Sequence, residues 1–418
     1  MSLLLGRSLG CWLAALLLTS LSCTTADRPR AFSPDPRPAP TRATLQLGQK
    51  ELADGRFVGL AFSGGGSRAA VFGAAVMKEL DRVGLLSQAD VLSAVSGGGL
   101  PAAAYALDGY RDFNFQNGFE ELVGRDIQGA VAGPWYQVPH NLLRYSFRNT
   151  IPAEPVIRAL DETLFHGATF ADLNPSRPIL LLNATDALTG DPLVIAEERF
   201  APLGIPLAPF SIARAVYMSA AYPGVLEPLK LTDGRAGMNG ASSDPIFAYD
   251  GGAADNLGIR TLVQVLEEAS ASRSLRDLFP QGCWVISIDA TGRQRNDTRT
   301  PLSAAAALLR GHRRNVLELA GIPASQQDVA QFGTFRIGQD GAGGTCRFWH
   351  VALRQLPDSD PLGEQVTHIK TNLGLPAGDQ AALMAAAARL VAKGFEEMNG
   401  MAGWAGLLRT KPALLSHP

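Results

Sequence analysis

Val58-Gly59-Leu60-Ala61-Phe62-Ser63-Gly64-Gly65-Gly66-Ser67-Arg68-Ala69 passes from an apolar run straight into a run of glycines. The apolar part has the length of a buried strand. Beyond the glycines, Val71, Ala74, Ala75 and Leu80 recur at helical spacing and Gly84 supplies a stop, which predicts a helix from about Ser67 to Val83. Some thirty residues on, the pattern returns: a second apolar run ends in Ala94-Val95-Ser96-Gly97-Gly98, and a helix follows with Pro101 tolerated in its first turn.

Working outward, Ile179 to Leu182, Trp284 to Ile288 and Phe348 to Val351 are further strand candidates. A helical pattern after Gly258 carries Leu262, Val263, Val265 and Leu266, and the alanine-rich stretch from Asp379 is helical as well. Short apolar runs alternating with helices predict an α/β fold with a mainly parallel central sheet flanked by helices. No internal repeat of solenoid or propeller period is present.

The 418 residues are 46% hydrophobic, enough for a substantial core. Lys and Arg number 37 against 39 for Asp and Glu, so no overall field draws the chain to nucleic acid. At the N-terminus, Arg7 precedes the apolar residues Leu9 and Trp12 to Leu18, and a small-residue stretch ends in Cys23, which reads as an export signal over residues 1–22. Cys23 resembles the modified cysteine of bacterial lipoproteins, with Ser20 where leucine is usual. That resemblance implies a lipid-anchored protein of the bacterial cell envelope, in the periplasm or at the outer membrane. Residues 23–54 read as a Pro/Arg-rich linker, 55–400 as one folded domain and 401–418 as a tail.

Cys283 and Cys346 remain once Cys11 and Cys23 are set aside; both adjoin apparent strands, and free buried thiols are expected there rather than a disulfide. The aromatic residues from Trp135 to Phe147 read as packing, and the cluster Arg310, His312, Arg313, Arg314 as a solvated helix face.

Three patterns can carry chemistry. The glycine run lacks the Gly-Lys-Ser/Thr ending of a nucleotide loop; its backbone N–H groups can hold an anion or the negative oxygen of an acyl-transfer intermediate. Ser96 stands in a Gly-x-Ser-x-Gly-like elbow with Ala94 at the first position. Tyr249-Asp250-Gly251-Gly252 offers a carboxylate before two glycines. A serine nucleophile needs a base, and none of the six histidines sits in a pattern resembling a hydrolase triad. An aspartate can serve instead, since partial burial raises its proton affinity. Each pattern taken alone also reads as a tight turn.

In this order the three elements resemble the patatin-like phospholipase family. His166 to Leu173, Asn183 to Asp186 and Ala213 to Gly224 agree with it, the last containing Ser219-Ala220-Ala221-Tyr222-Pro223-Gly224. The resemblance spans roughly Arg56 to Leu266. It implies a patatin-like three-layer fold and a lipid acyl hydrolase with a Ser/Asp dyad: Ser96 as nucleophile, Asp250 as base, Gly64, Gly65 and Gly66 as oxyanion-hole donors, and Arg68 anchoring that loop. No metal or other cofactor is implied. The partners implied are a lipid or phospholipid substrate and, through Cys23, a membrane surface. An acyltransferase or thioesterase with the same dyad, or a non-catalytic lipid-binding or scaffold protein, are the alternatives. Asp186 and Asp255 read as loop and capping residues.

Overall fold

Successive residues of a strand face opposite sides of its sheet, and in the central strand here both sides are apolar. In β1 (Arg56–Phe62), Val58, Leu60 and Phe62 enter one core while Phe57 and Ala61 enter another. A strand buried on both faces needs a cover on each, which is the physical origin of the three layers.

The computed structural model describes residues 41–107, 151–232, 245–292, 331–337 and 344–407, apart from 358, 372–373, 402 and 405–406. The export signal, Cys23, most of the linker, the Trp135 to Phe147 segment, the Arg310 cluster and the end of the tail lie outside them.

The remaining strands are β2 (Val91–Val95), β3 (Ile179–Asp186), β4 (Pro192–Ile195), β5 (Leu229–Leu231), β6 (Ile246–Asp250), β7 (Gly282–Asp289), β8 (Phe332–Ile337) and β9 (Gly344–Ala352). They form one sheet in the order β5-β6-β3-β2-β1-β7-β9-β8, with β4 on β3. The pairs β3–β2, β2–β1, β1–β7 and β7–β9 are parallel, whereas β6 runs antiparallel to β3 and β8 antiparallel to β9. The expected mainly parallel sheet is therefore present, with antiparallel strands added towards both edges.

Helix α1 (Gly66–Arg82) packs Val71, Ala74, Ala75 and Leu80 into the first core, beside α2 (Gly99–Leu107), α3 (Ile212–Ala220) and the long C-terminal helix, Ala377–Asn399. The opposite face is covered by the helix Ile259–Ser270 through Leu262, Val265 and Leu266. Trp284 and Trp349 lie fully buried on the α1 side. No described helix is long and apolar enough to cross a membrane.

One expectation is corrected here: Cys283 and Cys346 are not free thiols but form a disulfide. Register is the reason. Trp284 pairs with Arg347 across β7 and β9, so the preceding residues are cross-strand neighbours with Cα atoms 4.7 Å apart, and both side chains enter the second core. Their separation of 63 residues hides this adjacency in the sequence.

Candidate active site

A parallel sheet delivers the ends of its strands to one edge, where the loops converge. β1 leads into the glycine loop and α1; β2 leads into Ser96 and α2. Ser96 leaves β2 with φ 53°, the left-handed conformation that a non-glycine residue adopts at a sharp elbow. Small neighbours are required: a Cβ on Gly97 would overlap the Gly66 carbonyl. The two loops thus lie against each other, and their glycines make the approach possible.

Asp250 arrives from the other direction. β6 enters the sheet beyond the end of β3 and runs back, so that Asp250 comes level with Ala184, one residue past the pairing of Val95 with Asn183. The dyad strands β2 and β6 are separated by β3, roughly 10 Å between backbones, and the two side chains close over it. Ser96 Oγ donates to Asp250 Oδ2 at 2.7 Å, and Gly252 N–H donates to Asp250 Oδ1 at 2.8 Å.

Burial pushes the Asp250 carboxyl up to about 6, against the hydrogen bonds from Ser96 and Gly252, which lower it. At neutral pH it is ionised, yet it binds a proton far more readily than an exposed aspartate. That combination suits a base for the adjacent hydroxyl.

The glycine loop departs in part from expectation. Gly64 N–H donates to the Asn256 carbonyl at 3.0 Å, so it is not available to an oxyanion. The cause is close packing, for a Cβ on Gly64 would lie 2.5 Å from Asn256 Oδ1. Gly65 and Gly66 have φ of 144° and 58° and open α1, where first-turn N–H groups have no acceptor within the helix. Among the described residues, no backbone acceptor for the Gly65 or Gly66 N–H is present, which leaves these two as candidate donors.

Arg68 is buried and donates through Nη1 to the Ile369 carbonyl at 2.5 Å. Its guanidinium lies beside Gly65, with Nη2 3.3 Å from where a Cβ would stand. Burial lowers its pKa to about 10, opposed by the charge of Asp289 and assisted by that of Arg354. Arg68 therefore packs under the loop and ties it to the C-terminal part of the chain.

Several buried residues around the dyad had no role in the sequence reading. Asn183 Nδ2 donates to Ser93 Oγ at 2.9 Å and to the Ala94 carbonyl at 3.0 Å, while Thr261 Oγ1 donates to Asn183 Oδ1 at 2.6 Å. Ser219 Oγ accepts the Ser96 N–H at 2.8 Å. Asn183 and Ser219 stood inside blocks that match the family, which was the available signal. Asp255 accepts from Leu257 and Arg260 N–H, and Asp186 from Leu188 N–H, so both hold loops.

Among the described histidines, His166 and His368 are exposed, and His350 is buried with Nε2 3.2 Å from Asp289 Oδ2. β9 lies three strand spacings from β2, about 14 Å, which separates His350 from Ser96. Among the described residues no group of three or more His, Cys, Asp and Glu is arranged to hold a metal ion.

Residues 60–263 match a family model described as patatin-like phospholipase. Among solved structures, human GIVD cytosolic phospholipase A2 is similar with a TM-score of 0.53 and 9% identity, over 87% of this chain and 63% of that one. The chain thus spans less than two thirds of that relative. VipD from Legionella pneumophila is similar with a TM-score of 0.40 and 12% identity, over 86% of this chain and 71% of that one. At such identities the human structure shows a shared fold. No curated protein matches the sequence significantly.

Proposed function

The chain carries a patatin-like phospholipase domain over residues 60–263, and from that premise we propose that it is a lipid acyl hydrolase in which Ser96 is the nucleophile and Asp250 its base. The observation that carries this reading is the 2.7 Å hydrogen bond from Ser96 Oγ to Asp250 Oδ2 at a left-handed elbow, beside the glycine-rich start of α1.

Asp250 accepts the Ser96 proton as Oγ attacks the ester carbonyl carbon. The carbonyl electrons move onto oxygen, where Gly65 and Gly66 N–H donate to the oxyanion; each well-placed donor lowers the barrier by about 3 kcal/mol. Collapse expels the alcohol or lysolipid, which takes the proton from Asp250, and leaves an acyl-Ser96 ester. Water then attacks that ester, giving its proton to Asp250. The second oxyanion collapses to release the fatty acid, and Ser96 Oγ recovers the proton. No step requires a metal.

Export and a lipid anchor at Cys23 belong to the same proposal, for an enzyme held at a membrane surface meets its substrate there. Intact-mass analysis of the mature protein tests this part: a diacylated N-terminal Cys23 is expected, and an unmodified N-terminus overturns it.

The central test is hydrolysis of p-nitrophenyl esters and phospholipid vesicles by the wild type, Ser96→Ala and Asp250→Asn, with folding followed by circular dichroism. Turnover by the wild type and a loss on the order of 10³-fold or more in both folded variants is expected. Activity retained by Ser96→Ala sinks the dyad.

A further inference from the structure

Ser219 occupies the last turn of α3 and is fully buried. Its hydroxyl accepts the Ser96 N–H at 2.8 Å and donates to the Asn183 carbonyl at 2.6 Å. Its own carbonyl accepts the Gly251 N–H at 3.1 Å, and two residues later the Ala221 carbonyl accepts the Asp250 N–H at 3.0 Å. One end of α3 therefore holds the backbone of Ser96 through a side chain and the backbone at Asp250 through main-chain carbonyls. Asn183, the third partner, lies on the strand between them.

We propose that Ser219 is a positioning residue for the dyad, a gauge whose hydroxyl sets the distance and angle at which Ser96 Oγ meets Asp250. The inference rests on the Ser/Asp reading above and adds a residue that touches neither substrate nor the transferred proton.

The physical reason lies in how differently the two halves are held. Asp250 is fixed by β6, by Thr185 Oγ1 donating to its carbonyl at 2.9 Å, and by the α3 carbonyls. Ser96 sits at an elbow whose left-handed backbone opposes intrinsic preference, so it keeps its place only while its surroundings hold it. Ser219 supplies the acceptor for its N–H. Without that hydroxyl, the Ser96 N–H and the Asn183 carbonyl each lose a buried partner, and the elbow is free to relax. The main-chain bonds from Ser219 and Ala221 to Gly251 and Asp250 do not depend on the side chain. Ser219→Ala thus releases one end of the dyad and leaves the other held.

The test compares wild type, Ser219→Ala and Ser219→Cys in steady-state ester hydrolysis across pH, with thermal unfolding in parallel and Ser96→Ala as the reference for the dyad itself. For Ser219→Ala, kcat is expected to fall by about 10- to 100-fold with KM changed less than about threefold, the signature of a misplaced reacting group. The acid limb of kcat is expected to move to higher pH, because a weaker Ser96 hydrogen bond no longer holds the Asp250 proton affinity down. Tyr222 and Tyr249 feel the charge of Asp250; burial first and nearby carboxylate charge after it push both above the ordinary tyrosine range, so they stay neutral throughout.

Ser219→Cys retains a weak donor and acceptor and should lie between serine and alanine. It decides the question if the alanine variant does not fold. A folded Ser219→Ala with wild-type kcat and acid limb, or the same result in Ser219→Cys, overturns the positioning role while Ser96→Ala stays inactive. Activity in Ser96→Ala instead removes the dyad reading on which it rests.

Discussion

Two buried aspartates end strands on opposite sides of β1, and their surroundings differ in kind. Asp250, at the end of β6, meets a hydroxyl from Ser96 and an amide from Gly252. Asp289, at the end of β7, meets the His350 ring at 3.2 Å and the Thr291 N–H at 2.8 Å, with Arg68 close enough to feel its charge. The next residue, Ala290, donates its N–H to Ser63 Oγ at 2.9 Å, just before the glycine loop. A carboxylate given only neutral donors in a buried site keeps an elevated proton affinity and can take up a proton. A carboxylate set among basic side chains is built to hold neighbouring segments together. In the mechanism proposed above the same residue type is a base in one region, while in the other it is a brace, because of what faces it.

The widest gap between the two regions is expected in turnover. Asp250→Asn removes the proton acceptor and should lower kcat on the order of 10³-fold, whereas Asp289→Asn should leave kcat within about tenfold. Equal losses in both variants break the distinction. Stability should show the reverse order. Asp289→Asn takes one partner from a buried pair and is expected to cost about 3 kcal/mol, read as a shift in denaturant midpoint.

Asp250→Asn should stabilise the fold at neutral pH. The folded carboxyl titrates at about 6 against an ordinary value of 3.8, so the folded state binds this proton more tightly than the unfolded chain. The resulting penalty is absent below pH 3.8, grows as pH rises, and is complete above about 6, where the shift corresponds to at most about 3 kcal/mol. The variant should therefore gain over the wild type at pH 8 and show no such gain at pH 3.5; denaturant titrations at the two values check it. The smallest effect sharpens the comparison further. The wild-type acid limb should lie near pH 6, with kcat/KM falling about tenfold per unit below it, and Asp289→Asn should leave that limb in place.

Much of the site was legible in sequence because its parts are local. The β1–glycine loop–α1 unit announced itself through an apolar run, a run of glycines and a helical period within about 25 residues. The Ser96 elbow did so through small residues after a second run. β6 was harder: its five residues bury only Ala248 and Asp250, and its antiparallel entry beside β3 is a matter of packing. Gly64 looked equivalent to Gly65 and Gly66 until Asn256 took its N–H. The disulfide between Cys283 and Cys346 depends on β9 lying beside β7 in one register, which no local pattern states.

The sequence by itself determined the fold class, the order of the chemical elements and the residue types available at each, since strand and helix periods and turn residues act over short stretches of chain. Tertiary structure alone decided which of those residues meet. The Ser96–Asp250 bond joins positions 154 residues apart, the Ser96–Ser219 bond 123, and the Asp289–His350 contact 61. Such encounters follow from strand order and burial, which make a serine a nucleophile candidate in one place and a gauge in another.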